Sequence, residues 1–299
     1  MVQNIKLLNN VQSKNLPLST TDTDYYILDS VDWGVITASH QQYKYIGQYG
    51  VTIVGTTLGT RDVEIKGWVI ARTEQEMTER KKFLNAFFNP LHSMTLLYSG
   101  YSLDFYCQKT IKYGSEHKEN NEVICHWVVD GIAPDPFFKG VSNSRYYASR
   151  VTGAFMFPLI LKDNHRDSLV FGKIKTATIF SAYNTGHIPT GFKVTFFARG
   201  GDVTNPALLH VGKQQFIKIN KVLTQGESVV IDTNKESRSV TGIIDNKSYN
   251  YYMYKDLDST WITLDVGDNM MNYSADAGMD LLDVTIDFNY KYEEVQECY

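Results

Sequence analysis

One stretch of this chain, 73–90, carries the three-and-four spacing of a helix, so the remaining apolar residues have to be buried in sheets. Met77, Phe83, Leu84, Phe87 and Phe88 make the apolar stripe. Thr73 and Glu76 predict a capping box, in which the hydroxyl accepts from a free backbone N–H and the glutamate reaches back. Glu74, Glu76 and Glu79 sit toward the positive end of the dipole, with Arg80, Lys81 and Lys82 further along. Asn89-Pro90 stops the helix, because proline disfavours helical geometry in the residue before it. A lone helix of this kind is expected to be a lid packed on a sheet.

The rest of the chain reads as strands. Tyr25-Tyr26-Ile27-Leu28 and Val35-Ile36 predict two short ones separated by Asp29-Ser30. Residues 62–71 alternate through Val63, Ile65 and Val69, and strands over 94–98 and 103–107 flank Ser99-Gly100. A strand over 123–129 runs toward Pro134 and Pro136. Ser142-Asn143-Ser144 marks a boundary between domains 1–140 and 141–299. Beyond it, strands are expected over 174–180, 192–198, 215–219, 228–232, 239–243, 249–254, 261–264 and 282–292, with Gly, Asn and Asp between them. That spacing, with no helix signal, predicts an antiparallel sandwich closed by the strand at 281–292.

Composition narrows the function. Hydrophobic residues at 43% and charged residues at 21% describe a soluble, core-forming protein. A net charge of −4 lacks the basic footprint of sequence-specific nucleic-acid binding. Cys107, Cys125 and Cys298 show no ligand spacing and fit a reducing cytoplasm. Residues 1–10 lack a signal-peptide core, and no apolar run approaches the roughly 18 residues of a membrane span, so neither export nor a membrane partner is expected. Phosphate cradles, nucleophile elbows and zinc motifs are absent from the sequence, and the expectation is no catalytic residue, metal or cofactor. Thr21-Asp22-Thr23-Asp24, His117 with Glu116 and Glu119, and the pairs Asp163/Asp167 and Asp256/Asp258 read as solvated turns.

Two aromatic stretches remain as candidate surfaces. Tyr43, Tyr45, Tyr49, Val51, Ile53 and Val54, broken by Gly47, Gly50 and Gly55, form either a core hairpin or an arm that contacts another subunit. Tyr249, Tyr251, Tyr252 and Tyr254 beside Trp261 form core packing, a contact with a partner protein, or a sugar-stacking platform. The sequence shows no paired polar set around that second group, and on that ground sugar binding is expected to be weak or absent.

The order of elements resembles one family. The phrases are Arg80-Lys81-Lys82-Phe83-Leu84-Asn85-Ala86-Phe87-Phe88-Asn89-Pro90, the strand pair around Tyr98-Ser99-Gly100, and Pro134-Asp135-Pro136-Phe137-Phe138. Later come Asn184-Thr185-Gly186-His187-Ile188-Pro189-Thr190, Gly226-Glu227-Ser228-Val229-Val230-Ile231-Asp232-Thr233, Asp258-Ser259-Thr260-Trp261-Ile262-Thr263-Leu264 and Gly267-Asp268-Asn269. As an ordered set these resemble the distal tail proteins (Dit) of siphophages infecting Gram-positive bacteria, from about residue 60 onward. The resemblance implies a mainly β fold: a β-sandwich-like N-terminal domain with one α-helix and an extended hairpin arm, then a galectin-like β-sandwich. It implies a non-enzymatic homo-hexamer at the virion tail tip, assembled in the host cytoplasm. The implied partners are the tail tube protein, a tail-associated fiber or lysin, and a receptor-binding or baseplate protein. The alternative is a lectin-like protein that adheres to the cell wall.

Overall fold

The computed structural model describes residues 4–20, 25–141, 144–148, 150–153, 172–175 and 178–295. The turn at 21–24, the boundary residues Ser142 and Asn143, the pair Asp163/Asp167 and Cys298 lie outside them. Two units are present, Met1–Val141 with Tyr292–Tyr299, and Ser142–Lys291.

The first unit begins with β1 (Asn4–Asn9), β2 (Lys14–Ser19) and β3 (Tyr26–Asp32). The hairpin β4 (Ala38–Tyr43) and β5 (Thr52–Leu58) follows, then β6 (Arg61–Ile70), α1 (Glu74–Phe87), β7 (Ser93–Tyr98) and β8 (Tyr101–Cys107). β9 (Lys112–Tyr113), β10 (Ile124–Ala133) and β11 (Phe138–Gly140) come last in this stretch. Neighbouring strands run β8-β7-β1-β2-β3-β6-β10, and β10 pairs back onto β8 through Gly131 opposite Cys107. The expected sandwich-like domain is therefore a closed barrel, a form that leaves those strands no bare edge. Its interior is filled by the inward set of each strand, including Leu7, Leu18, Ile65, Val69, Phe105 and Trp127. Trp127 lies opposite Gly67 on β6, where a Cβ would meet the indole at 2.4 Å, so only glycine lets the ring lie flat there.

Helix α1 packs on this core through Met77, Leu84 and Phe87, followed by Phe88, whose ring stands 5.5 Å from that of Trp127. Thr73 caps it, accepting from the Glu76 N–H at 3.3 Å. The Glu76 carboxylate accepts from the Arg72 N–H at 3.0 Å, one residue earlier than a standard capping box has it. At the other end the buried Asn9 amide donates to the Phe87 carbonyl at 2.7 Å, satisfying an acceptor that the helix cannot.

The second unit holds β12 (Ser144–Tyr147), β13 (Arg150–Gly153), β14 (Gly172–Lys175), β15 (Ile179–Asn184) and β16 (Lys193–Ala198). β17 (Val203–Thr204), β18 (Ala207–His210), β19 (Gln215–Lys218), β20 (Val222–Leu223) and β21 (Ser228–Asp232) follow. Then come β22 (Ser239–Ile244), β23 (Lys247–Asn250), β24 (Gly267–Ser274) and β25 (Leu282–Phe288). A six-stranded sheet in the order β12-β25-β16-β21-β22-β23 and a four-stranded sheet in the order β15-β24-β18-β19 share one core. Val194, Phe196, Val229, Ile231, Val284 and Ile286 enter it from the first sheet, and Leu208, Ile217, Met271 and Tyr273 from the second. This is an antiparallel sandwich. The chain then returns to the first unit, where β26 (Lys291–Tyr292) lies beside β11 and the Tyr292 ring packs at 5.3 Å from Tyr101.

Several expected strands differ. β3 runs on through Asp29-Ser30 by means of a bulge after Leu28, whereas Val35-Ile36 forms no ladder. Of the run 174–180, Ile174 and Lys175 belong to β14 and Ile179 and Phe180 to β15. Residues 249–254 leave β23 for a 3-10 turn at Tyr252–Tyr254, held by the Tyr254 N–H on the Tyr251 carbonyl. Residues 261–264 bury Ile262 and Leu264, but their only pairing is the bridge Thr190–Leu264. The strand expected over 282–292 stops at Phe288.

Candidate assembly and ligand surfaces

β4 and β5 pair with each other and with no other strand of the described residues. Their register shifts between Gln41 and Gln42, which twists the ribbon. The tip is held locally: the Tyr45 N–H donates to the Gln48 side chain at 3.1 Å, and the Gln48 amide donates to Thr52 at 2.9 Å. All six residues expected to make subunit contacts lie on this hairpin and all are exposed, from Val51 at 49% to Tyr49 at full exposure. Ile46 and Leu58 join them in water. Tyr43 and Tyr45 pack edge-to-face at 4.6 Å, and among the described residues no core lies beneath them. A two-stranded ribbon is marginal alone in water. Each apolar side chain of this kind gains about 1.5–3 kcal/mol when fully covered.

The root of the arm is fixed by a residue the sequence reading did not single out. Arg61 is 2% exposed at the start of β6. Its guanidinium donates to the Pro136 carbonyl at 2.6 Å, to the Trp33 and Gly34 carbonyls at 3.2 Å each, and to the Glu293 carbonyl. It also stacks 4.8 Å from the Phe138 ring centre. Burial pulls its pKa below the usual arginine value, and Glu294 and Glu293 offset that only in part. One planar cation thus ties the strand before the arm, the strand after it, the Pro134–Phe138 phrase and the returning chain end. The only sequence signal was an arginine beginning a strand whose inward face is otherwise apolar.

The second aromatic group divides. Tyr251 is buried and donates to the Glu227 carboxylate at 2.8 Å. Burial, followed by that carboxylate, pushes its phenol up to about 12. Glu227 is 1% exposed and also accepts from Lys221 at 2.6 Å and from the Thr224 N–H at 3.0 Å. Burial works to raise its pKa, but these hydrogen bonds outweigh it and hold it below the usual glutamate value. Tyr249 and Tyr252 are exposed, and the rings of Tyr252 and Trp261 stand 6.2 Å apart. Arg238 and Lys255 lie over the Trp261 ring at 5.4 and 5.5 Å. An open depression of about 360 Å³ beside Tyr249 and Tyr252 is bordered by Arg238, Ser239, Thr241, Ser248 and Asn250. The polar set that the sequence did not show is supplied by β22 and β23.

The remaining motifs are structural. The buried Asn184 amide donates to the Ile188 carbonyl at 3.1 Å, and its oxygen accepts from the Gly186 N–H at 2.9 Å, which folds the Asn184–Thr190 loop. Asn269 donates to the Asp265 and Gly267 carbonyls at 2.7 and 3.0 Å and faces the His210 ring at 3.1 Å. Asp256 accepts from Asn220 and from the Asp258 N–H, so this carboxylate organises a turn. Burial pushes the Cys107 thiol up to about 11, which keeps it protonated. Among the described residues no three His, Cys, Asp or Glu side chains are grouped to hold a metal, and no helix is long and apolar enough to cross a membrane.

Family models match both units. One, described as a phage tail protein RIFT-related domain, matches residues 19–125. Another, described as a siphovirus-type tail component, C-terminal domain, matches residues 185–292. The chain belongs to the siphophage distal tail protein family. A distal tail protein is a structural component of the phage tail, and the virion tail is where this chain belongs. The fold agrees with the crystal structure of the Dit protein of phage SPP1, described as a paradigm of hub adsorption apparatus in phages infecting Gram-positive bacteria. That match has a TM-score of 0.66 at 14% identity and covers 96% of this chain and 98% of the other. A chain of the phage p2 baseplate, in its activated conformation with calcium, matches with a TM-score of 0.52 at 10% identity, over 96% and 98% of the two chains. The same baseplate with strontium gives the same values. No curated protein matches the chain in sequence.

Proposed function

We propose that this distal tail protein closes into a homo-hexameric ring at the tail tip, through contacts made by the first unit. The observation that carries this reading is the β4–β5 arm, whose apolar side chains are displayed on a ribbon that no described part of its own unit covers. A neighbouring copy would cover that face, and a head-to-tail contact that closes satisfies it without open-ended growth. The ring would join the tail tube protein on one side and a tail-associated fiber or lysin on the other. The sandwich would hold a receptor-binding or baseplate protein. The role is one of binding, not catalysis, with assembly in the host cytoplasm before virion completion. Electron microscopy of the purified full chain tests this. Closed six-fold rings are expected; monomers, or open filaments, at micromolar concentration would contradict it.

A second reading, adhesion to a surface glycan, is favoured by one observation, the depression bordered by Arg238, Tyr249 and Tyr252.

A further inference from the structure

We propose that the face built by β22, β23 and Trp261 is a binding site for an anionic saccharide. The inference uses only residues of the second unit and stands whether or not the ring forms.

The floor of the site is rigid. Tyr251 lies beneath β22 against Gly242, where a Cβ would come within 2.1 Å of its ring, and its hydroxyl is fixed on Glu227. Above that floor the exposed aromatic faces of Tyr252 and Tyr249 border the depression, and Trp261 adjoins Tyr252. Such faces stack on the C–H surface of a sugar ring while the ring's hydroxyls stay wet. A volume near 360 Å³ lies within the usual range for a small-molecule site, roughly 300–1,000 Å³.

The rim supplies the hydrogen bonding a saccharide needs. Ser239, Thr241 and Ser248 offer hydroxyls that both donate and accept. Asn250 is placed directly opposite Thr241, and its side-chain oxygen accepts from the Tyr252 N–H at 2.9 Å, leaving its amide donors for a ligand.

Charge decides the class of saccharide. Arg238 is exposed, and among the described residues it has no carboxylate partner; its guanidinium lies 5.4 Å from the centre of the Trp261 ring. Lys255 also lies over that ring, at 5.5 Å, and donates to the Ser259 and Asp256 carbonyls at 2.7 and 3.2 Å. Asp256, beside Lys255, is occupied by Asn220 and the Asp258 N–H, and Glu236, two residues before Arg238, pairs with Lys291 at 3.8 Å. A stacked ring therefore brings a carboxylate or phosphate substituent to a guanidinium with nothing else to neutralise. A neutral sugar would leave it unused.

Isothermal titration of the full-length protein tests the site. The probes are an oligogalacturonate, a phosphodiester-linked glycerol–sugar oligomer, a neutral cello-oligosaccharide of equal length, oligoglutamate and inorganic phosphate. Saturable binding of at least one anionic saccharide is expected, about tenfold tighter than the neutral chain, oligoglutamate or phosphate. The carboxylate and phosphodiester probes then distinguish which anion the site takes. Arg238→Ala and Tyr252→Ala alter exposed side chains and should each weaken binding about fivefold to tenfold with unchanged melting. Trp261→Phe, which keeps a ring in place, should weaken it less than Tyr252→Ala. No saccharide binding, equal affinity for neutral and anionic chains, oligoglutamate binding as tight as the saccharide, or binding unchanged by Arg238→Ala would each overturn the proposal.

Discussion

Two hairpins in this protein carry tyrosines outside a core, and they differ in what surrounds the rings. On β4–β5, Tyr43, Tyr45 and Tyr49 sit among Ile46, Val51, Ile53 and Val54, with no core beneath. On β22–β23 and the turn after it, Tyr249 and Tyr252 sit among hydroxyls, an amide and a guanidinium, over a buried Tyr251. The first setting gains free energy only when it is dried, which needs a large apolar partner surface. The second works half-wet and favours a small polar ligand. The residue type does not settle the role; its neighbours do.

A core ring and an arm side chain should respond very differently in one denaturation assay. Phe87 is fully buried, and Phe87→Ala should cost roughly 3–5 kcal/mol in chemical denaturation. Val54→Ser, on the exposed arm, should stay within about 0.5 kcal/mol when measured on dissociated subunits. If both lost several kcal/mol, the arm would be packed on its own subunit and the contrast would vanish.

Arg61 comes next. Arg61→Ala strands the buried Pro136 carbonyl and three half-buried ones, and the loss should be about 3 kcal/mol, since hydrogen bonds to a charged group are each worth roughly 1.5–3 kcal/mol and do not add fully. Arg61→Lys should recover little, because one ammonium cannot reach four carbonyls arranged around a plane. Full rescue by lysine in the same denaturation assay would mean that the charge, and not the fork, holds the root of the arm.

The smallest effect concerns the floor of the second hairpin. The folded-state pKa of Glu227 is lowered from 4.5, so its ionised form contributes stability above that value and loses it as pH falls through the folded pKa. The melting temperature of the sandwich should drop on acidification below about pH 4.5, and less steeply in Glu227→Gln. Identical pH profiles for the two proteins would remove Glu227 from the account.

Much of this was legible in sequence, where pattern and burial coincide. The stripe of α1, the alternation of β6 and the exact run of β21 all follow apolar positions that face one core. β24 was missed because its inward face includes Asn269 and its outward face includes Met270, so polarity no longer marks direction. Residues 261–264 misled for the opposite reason: Ile262 and Leu264 are buried, but as a loop whose backbone finds a bridge and not a ladder. Barrel closure through Gly131 and Cys107, and the return of Tyr292 to the first unit, are long-range pairings that no local pattern encodes. On the candidate surfaces, the aromatics could be read from the sequence, whereas Arg61 and the hydroxyl rim depend on strands brought together by folding.

The return of Tyr292 also changes how assembly can be tested. A piece ending near Gly140 would lack β26 and the Glu293 carbonyl bound by Arg61, so the informative comparison keeps the full chain. If the arm makes the ring, removing it should leave single subunits. Multi-angle light scattering of the intact protein and of the same chain lacking residues 43–54 measures it most directly. Six-subunit mass is expected for the intact protein, and folded monomers, with unchanged far-ultraviolet circular dichroism apart from the lost hairpin, for the deletion. A deletion protein that still elutes at six-subunit mass would contradict it.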